Sequence, residues 1–246
     1  MTRGLFVLAT FLAFLVSCDG RRAEPTVRES SALAPGTQPI VVDVYTDLIC
    51  PFCFIGTERL ERAIAAGGFQ ERVMVRYHAF LLQPDMPAEG IDVRSYLRER
   101  AGQEASEVFS PVEAMARESG IPLDLSKQTR SYPTIAAHAL LRHAEAKGTQ
   151  RALERALFHA HFLHASNISD VAVLVALATP HGFTEEEVRR IVTDPTEVAA
   201  VRRDAEAAAR RGVRGVPHFV FNDGRILQGA QSEETLRAAL ERAAHP

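Results

Sequence analysis

The sequence predicts an α/β fold in which a β-α-β unit near the start and a β-β-α unit at the end are parted by a large all-helical insertion. Three observations carry this. Residues 40–46 are rich in β-branched and aromatic residues, and helical spacing and a second such run at 73–80 follow them. Residues 216–227 read as two short strands around a tight turn, with an amphipathic helix after them. Between residues 91 and 209 the apolar period is helical and strand signal is slight.

The first strand is Ile40-Val41-Val42-Asp43-Val44-Tyr45-Thr46, buried on at least one face. After Pro51, Leu60, Ala63 and Ile64 recur at helical spacing and Gly67-Gly68 stops the helix. The second strand, Val73-Met74-Val75-Arg76-Tyr77-His78-Ala79-Phe80, is then a parallel neighbour of the first, because a helix makes the crossover. Helical stretches follow at 94–101, 111–118, 133–147, 150–163, 169–178 and 184–192, with one more from about 195, joined by loops that carry Gly, Pro, Asn or Asp. Val216-Pro217-His218-Phe219-Val220-Phe221 is a strand, Asn222-Asp223-Gly224 its turn and Arg225-Ile226-Leu227 its hairpin partner. Ser232 caps a last helix whose apolar face holds Thr235, Leu236, Ala239 and Leu240. This order is that of a thioredoxin fold with its middle opened. Residues 40–90 and 210–246 form the thioredoxin domain, and residues 91–209 form a helical insertion domain that caps the first strand-helix junction.

The 246 residues are 46% hydrophobic and 24% charged, with a net charge of −3, which fits a globular chain and excludes disordered and fibrous classes. Basic residues are scattered rather than blocked, so nucleic acid is not an expected partner. Near the start, Arg3 precedes an apolar stretch at residues 5–16. As a helix it would span about 18 Å, against a hydrocarbon core of ~30 Å. Residues 1–17 therefore read as an export signal and not as a membrane span. Residues 18–39 are polar and rich in Pro, Ser and Ala, the composition of a flexible tether with a reach of ~25 Å.

Besides Cys18, the cysteines are Cys50 and Cys53, spaced C-x-x-C. An exported protein framed by disulfides would carry more of them, farther apart. Structural zinc needs four ligands, and no second C-x-x-C or nearby His pair supplies the rest. Haem attachment needs histidine after Cys53, where Phe54 stands. His159, His161 and His164 do not converge, since positions i and i+2 of a helix point ~200° apart. Neither metal nor cofactor is expected. Two idle thiols remain the plain alternative, although an oxidising compartment favours a pair that cycles. Cys50 lies at a strand-helix junction, where free N–H groups and about half a positive charge favour a thiolate; Pro51 suits the first turn because it needs no N–H partner. Cys50 is thus the expected exposed, attacking thiol and Cys53 the resolving one. Asp47 and Asp43, upstream of Cys50, are candidate proton acceptors for Cys53, or else polar groups near the helix cap. His218, next to Pro217, could favour the Cys50 thiolate if it faces the cysteines, although strand neighbours face opposite sides.

Leu15-Val16-Ser17-Cys18 resembles the bacterial lipobox, which implies an acylated Cys18 at the mature N-terminus and a lipid anchor in the membrane. An ordinary signal that ends near a cysteine is the alternative. Asp43-Val44-Tyr45-Thr46-Asp47-Leu48-Ile49-Cys50-Pro51-Phe52-Cys53-Phe54-Ile55-Gly56 is similar to the D-x-x-S-D-x-x-C-P-W-C-x-x-G pattern of the FrnE-like branch of the DsbA-like superfamily, with Thr46 for serine and Phe52 for tryptophan. Phe80-Leu81-Leu82-Gln83-Pro84-Asp85 is similar to that branch's P-F-x-L-N-P-D. Gly212-Val213-Arg214-Gly215-Val216-Pro217-His218-Phe219-Val220-Phe221-Asn222 is similar to its G-V-x-G-V-P-x-F-V-F-N, and Gly229-Ala230-Gln231 also matches.

The resemblance implies a thiol–disulfide oxidoreductase on the periplasmic or other extracytoplasmic face of a membrane. It would act on protein thiols and disulfides without a cofactor and be recycled by a redox partner. It also implies a cis Val216-Pro217 bond facing the cysteines, with the Val216 backbone free to pair with an extended substrate and Pro51 and Phe52 as further substrate contacts. His138, at that family's A-H position, either faces the cleft or packs a helix. Chromene-carboxylate isomerases of this fold carry serine in place of the attacking cysteine; with both cysteines present, the resemblance favours redox chemistry. The alternative function is a chaperone or peptide-binding module in which the cysteines are secondary.

Overall fold

Ile40, Val42 and Val44 are fully buried on one face of the first strand, and this alternation sets the layering of the molecule. The computed structural model describes residues 39–245. The expected export signal, Cys18 and the tether before residue 39 lie outside the described residues. In chain order the elements begin with β1 (Ile40–Thr46), α1 (Pro51–Ala66), β2 (Val73–Ala79), β3 (Ile91–Asp92), α2 (Val93–Ala101), α3 (Ala105–Glu118), β4 (Arg130–Ser131) and α4 (Ile135–Ala146). They continue with α5 (Gln150–His164), α6 (Val171–Ala178), α7 (Glu185–Thr193), α8 (Pro195–Arg210), β5 (His218–Phe221), β6 (Ile226–Gln228) and α9 (Glu233–Ala243). The main sheet has the order β2-β1-β5-β6. β2 runs parallel to β1 and β5 antiparallel to it, and β6 closes a hairpin with β5. This is the thioredoxin-like α/β fold with a helical insertion that the sequence predicts.

Two cores meet at α1. Leu60, Ala63 and Ile64 of its second half pack between the sheet and Leu236, Ala239 and Leu240 of α9. Cys53, Phe54 and Ile55 of its first half belong to the core of the helical insertion. Phe54 stacks on Phe162 of α5 at 5.4 Å between ring centroids and lies 5.8 Å from Phe158, each such pair worth about 0.5–1.5 kcal/mol beyond its area. Arg59, 8% exposed, fastens the same helix: its guanidinium donates to Ser119 Oγ at 2.6 Å, to the Ala230 carbonyl at 2.9 Å and to the Met115 carbonyl at 3.2 Å. Helix α1 is therefore held from both sides.

The structure differs from expectation in three places. α3 begins at Ala105, not at Pro111, because Glu104 and Glu107 form a capping box and Ala105 and Phe109 bury ahead of the proline. Pro111 stands inside the helix. The insertion contains a small antiparallel pair, β3 with β4, of two residues each, too short for any alternation to show. β5 begins at His218, not at Val216, since the Val216-Pro217 bond is cis and lies outside the ladder.

α5 docks on the edge strand β2 through side chains. Gln150 accepts from the Tyr77 N–H at 2.9 Å and donates to the Tyr77 carbonyl at 3.0 Å, completing an edge that lacks a further strand. One turn on, Glu154 is 1% exposed and accepts from the Thr46 hydroxyl at 3.0 Å. Burial pushes its carboxyl well above the usual carboxylate range, and hydrogen bonds from Thr46 and Tyr77 only partly offset this. The folded state then holds a proton that the unfolded chain releases near pH ~4.3. The stability it contributes is full below that value and is lost as pH rises through the raised folded value. Glu154→Gln keeps the shape without titrating, so its Tm should fall less than the parent's from mildly acidic to alkaline pH. Parallel Tm–pH curves would show that Glu154 does not hold the proton.

Candidate active site

Cys50 is the N-cap residue of α1, extended at φ −90° and ψ 112°, with Pro51 in the first turn and no side-chain cap. Its N–H donates to the Asp47 carbonyl at 3.0 Å, closing the turn that follows β1, and its own carbonyl accepts from Cys53 and Phe54. The Sγ of Cys50 lies 3.8 Å from the Val216 carbonyl oxygen, so residues 166 positions apart in sequence meet at the site. Both cysteines are free thiols. Cys50 is 4% exposed, not the open thiol expected, because the Val216 loop and the helical insertion close over it; it reaches the outside through a cavity whose wall it forms. Cys53 is fully buried and does not line that cavity. Burial pushes its thiol well above the ordinary cysteine range, and a hydrogen bond to Cys50 and that neighbour's charge push the same way, against the Asp47 backbone N–H.

Pro217 explains a glycine. A Cβ on Gly56 would stand 2.8 Å from Pro217 Cγ and 3.3 Å from Phe219 Cζ, so a glycine lets α1 lie directly against the cis bond. Alanine is the better helix former by about 1 kcal/mol, but overpacking at such a contact costs ~1–3 kcal/mol. Gly56→Ala should therefore lower the urea midpoint despite its propensity; a raised midpoint would mean the Pro217 loop yields freely.

The other expected site residues divide. Phe52 is 39% exposed and lines the cavity with Pro51 and half-buried Val216, whereas Pro217 is buried beneath them. Asp47 is 1% exposed; its carboxylate accepts from the Leu82 N–H at 2.7 Å and from the Thr134 hydroxyl at 2.9 Å, clamping the loop after β2 and the start of α4 to the active-site turn. His138 of α4 is also buried, its Nε2 3.6 Å from Asp47 Oδ1 and without a hydrogen bond. It is buried on α4 and does not line the cavity. Asp43 does not serve Cys53. Burial raises its carboxyl, but hydrogen bonds from His78 and Arg76 outweigh this and bring it to about 2, on the β1–β2 pair. His218 shares its face of the sheet with Tyr45, edge-on at 5.8 Å, while Phe219 takes the α1 face. Burial lowers its pKa, which disfavours the charged ring; strand alternation, with Phe219 on the α1 face and His218 opposite Tyr45, turns it away from the cysteines, so the electrostatic help it could give them is not found.

Sequence reasoning gave no role to Thr134 or Glu154 and weighed His161 only as a metal ligand; only tertiary contact reveals that all three are buried at or beside the site.

A family description for the DSBA-like thioredoxin domain matches residues 41–241. The chain is 30% identical to the crystal structure of a probable DsbA oxidoreductase, SCO1869 from Streptomyces coelicolor, with a TM-score of 0.72 over 83% of this chain and 89% of that one. The cytosolic disulfide reductase DsbM from Pseudomonas aeruginosa shares the fold, at 22% identity and a TM-score of 0.57 over 82% of this chain and 97% of that one. The uncharacterized protein YwbO of Bacillus subtilis is 22% identical over 200 residues, 81% of this chain and 94% of its own.

Proposed function

The chain belongs to the DSBA-like thioredoxin domain family, and from that premise we propose that it is a thiol–disulfide oxidoreductase of the FrnE-like kind, acting on protein thiols and disulfides. Cys50 attacks or donates, Cys53 resolves, and the exposed Phe52 and half-buried Val216 meet the client. The observation that carries this reading is the inequality of the two thiols: Cys50 walls a cavity at the start of α1, and one turn on Cys53 is sealed, with its proton held by burial. In exchange, the thiolate attacks a client disulfide through a mixed disulfide, and the second thiol must sit close behind to release it. A C-x-x-C turn at a helix start provides that arrangement.

The reading includes export and a lipid anchor on Cys18, which would place the pair on the outer side of a membrane, served by a separate recycling partner. The full-length protein should catalyse reduction of a disulfide-bonded protein by dithiothreitol, at a rate that falls to background when both cysteines are replaced. A rate unaffected by the double replacement would leave the binding-module reading in its place. Cys18→Ala should move the protein from the membrane to the soluble fraction while leaving this catalysis unchanged; an unmodified Cys18 thiol in the intact mass of the wild type removes the anchor.

A further inference from the structure

The cavity beside Cys50 has a volume of about 700 Å³, within the range of sites that hold small organic molecules. Cys50, Phe52, Leu97, Val108, Phe162 and Val216 form much of its wall. These residues come from the active-site turn, α2, α3, α5 and the loop before β5, so an occupant is surrounded by segments distant in sequence. A compact molecule suits such a space; an extended chain that pairs with Val216 needs an open edge instead. Among the lining residues the charged side chains are Arg100 and Arg130, and no carboxylate is present. Arg130 donates to the Glu89 and Gly90 carbonyls at 2.8 and 3.0 Å. Arg100 is exposed and has no hydrogen-bond or ion-pair partner among the described residues. His161, 3% exposed, also lines the cavity, and its Nδ1 has no partner. Burial lowers this imidazole to about 4, which leaves it an uncharged hydrogen-bonding group at neutral pH.

We propose that this cavity binds a compact organic disulfide, or the thiol it yields, with an apolar body and an anionic group such as a carboxylate, as a second substrate class for the Cys50–Cys53 pair. The apolar body fills the space walled by Leu97, Val108 and Phe162, the anion meets Arg100, and a sulfur lies against Cys50. The proposal rests on the reading that this pair exchanges disulfides. The Cys50 thiolate attacks one sulfur of R–S–S–R; the S–S bond breaks, Cys50–S–S–R forms and RS⁻ leaves. Cys53, as it loses its proton, attacks the Cys50 sulfur, closes the Cys50–Cys53 disulfide and releases the second RS⁻. Two electrons pass from the dithiol to the organic disulfide, and the two thiol protons end on two molecules of R–SH.

The test uses the reduced full-length protein and three probes: dithiobis-nitrobenzoate, which is aromatic and anionic, hydroxyethyl disulfide, which is small and neutral, and cystamine, which is cationic. The nitrobenzoate probe should react with saturation, and the other two in simple proportion to concentration. Arg100→Glu, on an exposed side chain, should raise the KM for that probe roughly tenfold or more, as for one lost charge-assisted contact, and Val108→Trp should raise it comparably by occupying the space the apolar body needs. Neither should move the hydroxyethyl disulfide rate by more than about twofold, a shift below ~0.5 kcal/mol. Unsaturable reaction of the nitrobenzoate probe, a KM indifferent to both substitutions, or preference for cystamine overturns the proposal. Calorimetric binding of the nitrobenzoate thiol to the Cys50→Ala protein separates the two claims. Binding without exchange in the wild type condemns the oxidoreductase reading, and exchange with a protein disulfide without this binding condemns the cavity assignment alone.

Discussion

Cys53→Ala protein should accumulate disulfide-linked complexes with client proteins, whereas Cys50→Ala protein should accumulate almost none and show only background exchange. Cys50 forms part of the cavity wall at the start of α1, where a client sulfur can approach, and Cys53 is sealed one turn further on. Without Cys53 the mixed disulfide has no internal thiol to release it. Without Cys50 the remaining thiol is held neutral by burial, and a neutral thiol is a poor nucleophile. Non-reducing electrophoresis with mass identification of the linked peptide reads both results. Trapping through Cys53 instead would reverse the roles.

The second large effect is on stability. Asp47→Ala removes the acceptor of the Leu82 N–H and the Thr134 hydroxyl, both directed at a carboxylate that is 1% exposed. The Thr134 hydroxyl is buried, whereas the Leu82 N–H is only part-buried on an exposed residue and can turn to water; a buried group left unsatisfied costs about 1–3 kcal/mol, so the variant should lose roughly 2 kcal/mol or more in urea unfolding, a sizeable part of the ~5–15 kcal/mol that holds a domain. Asp47→Asn retains one acceptor oxygen and should fall between the two. Exchange should slow in the same order, since the clamp sets the turn that carries Cys50. A stable Asp47→Ala protein would mean that water replaces the carboxylate and the clamp is slack.

The sheet and its flanking helices were legible because each rests on local pattern: runs of β-branched and aromatic residues at 40–46 and 73–80, the Asn222-Asp223-Gly224 turn, and Ser232, whose side chain does cap α9 by accepting from Thr235. The cysteine pair was legible for the same reason, since its placement at a helix start needs only neighbouring residues. What stayed hidden depends on contacts far along the chain. The closing of Cys50 comes from Val216, the role of Asp47 from Leu82 and Thr134, and the burial of Glu154 from Thr46 and Tyr77. Gly56 stood in the motif, but its reason is the Pro217 ring, which only the folded chain brings within reach. The orientation of His218 was within reach of simple alternation: Phe219 belongs to the core beneath α1, so its neighbour must turn away. The start of α3 was misplaced because a proline inside a helix looks locally like a beginning.

Timed alkylation of the reduced native protein with iodoacetamide, followed by peptide mass mapping, tests the inequality of the thiols most directly. The structure predicts that the label enters at Cys50 first and that Cys53 stays unlabelled until the chain is unfolded in denaturant. Equal labelling of the two cysteines in the folded protein, or earlier labelling of Cys53, would contradict the assignment of Cys50 as the attacking thiol and Cys53 as the buried resolving one.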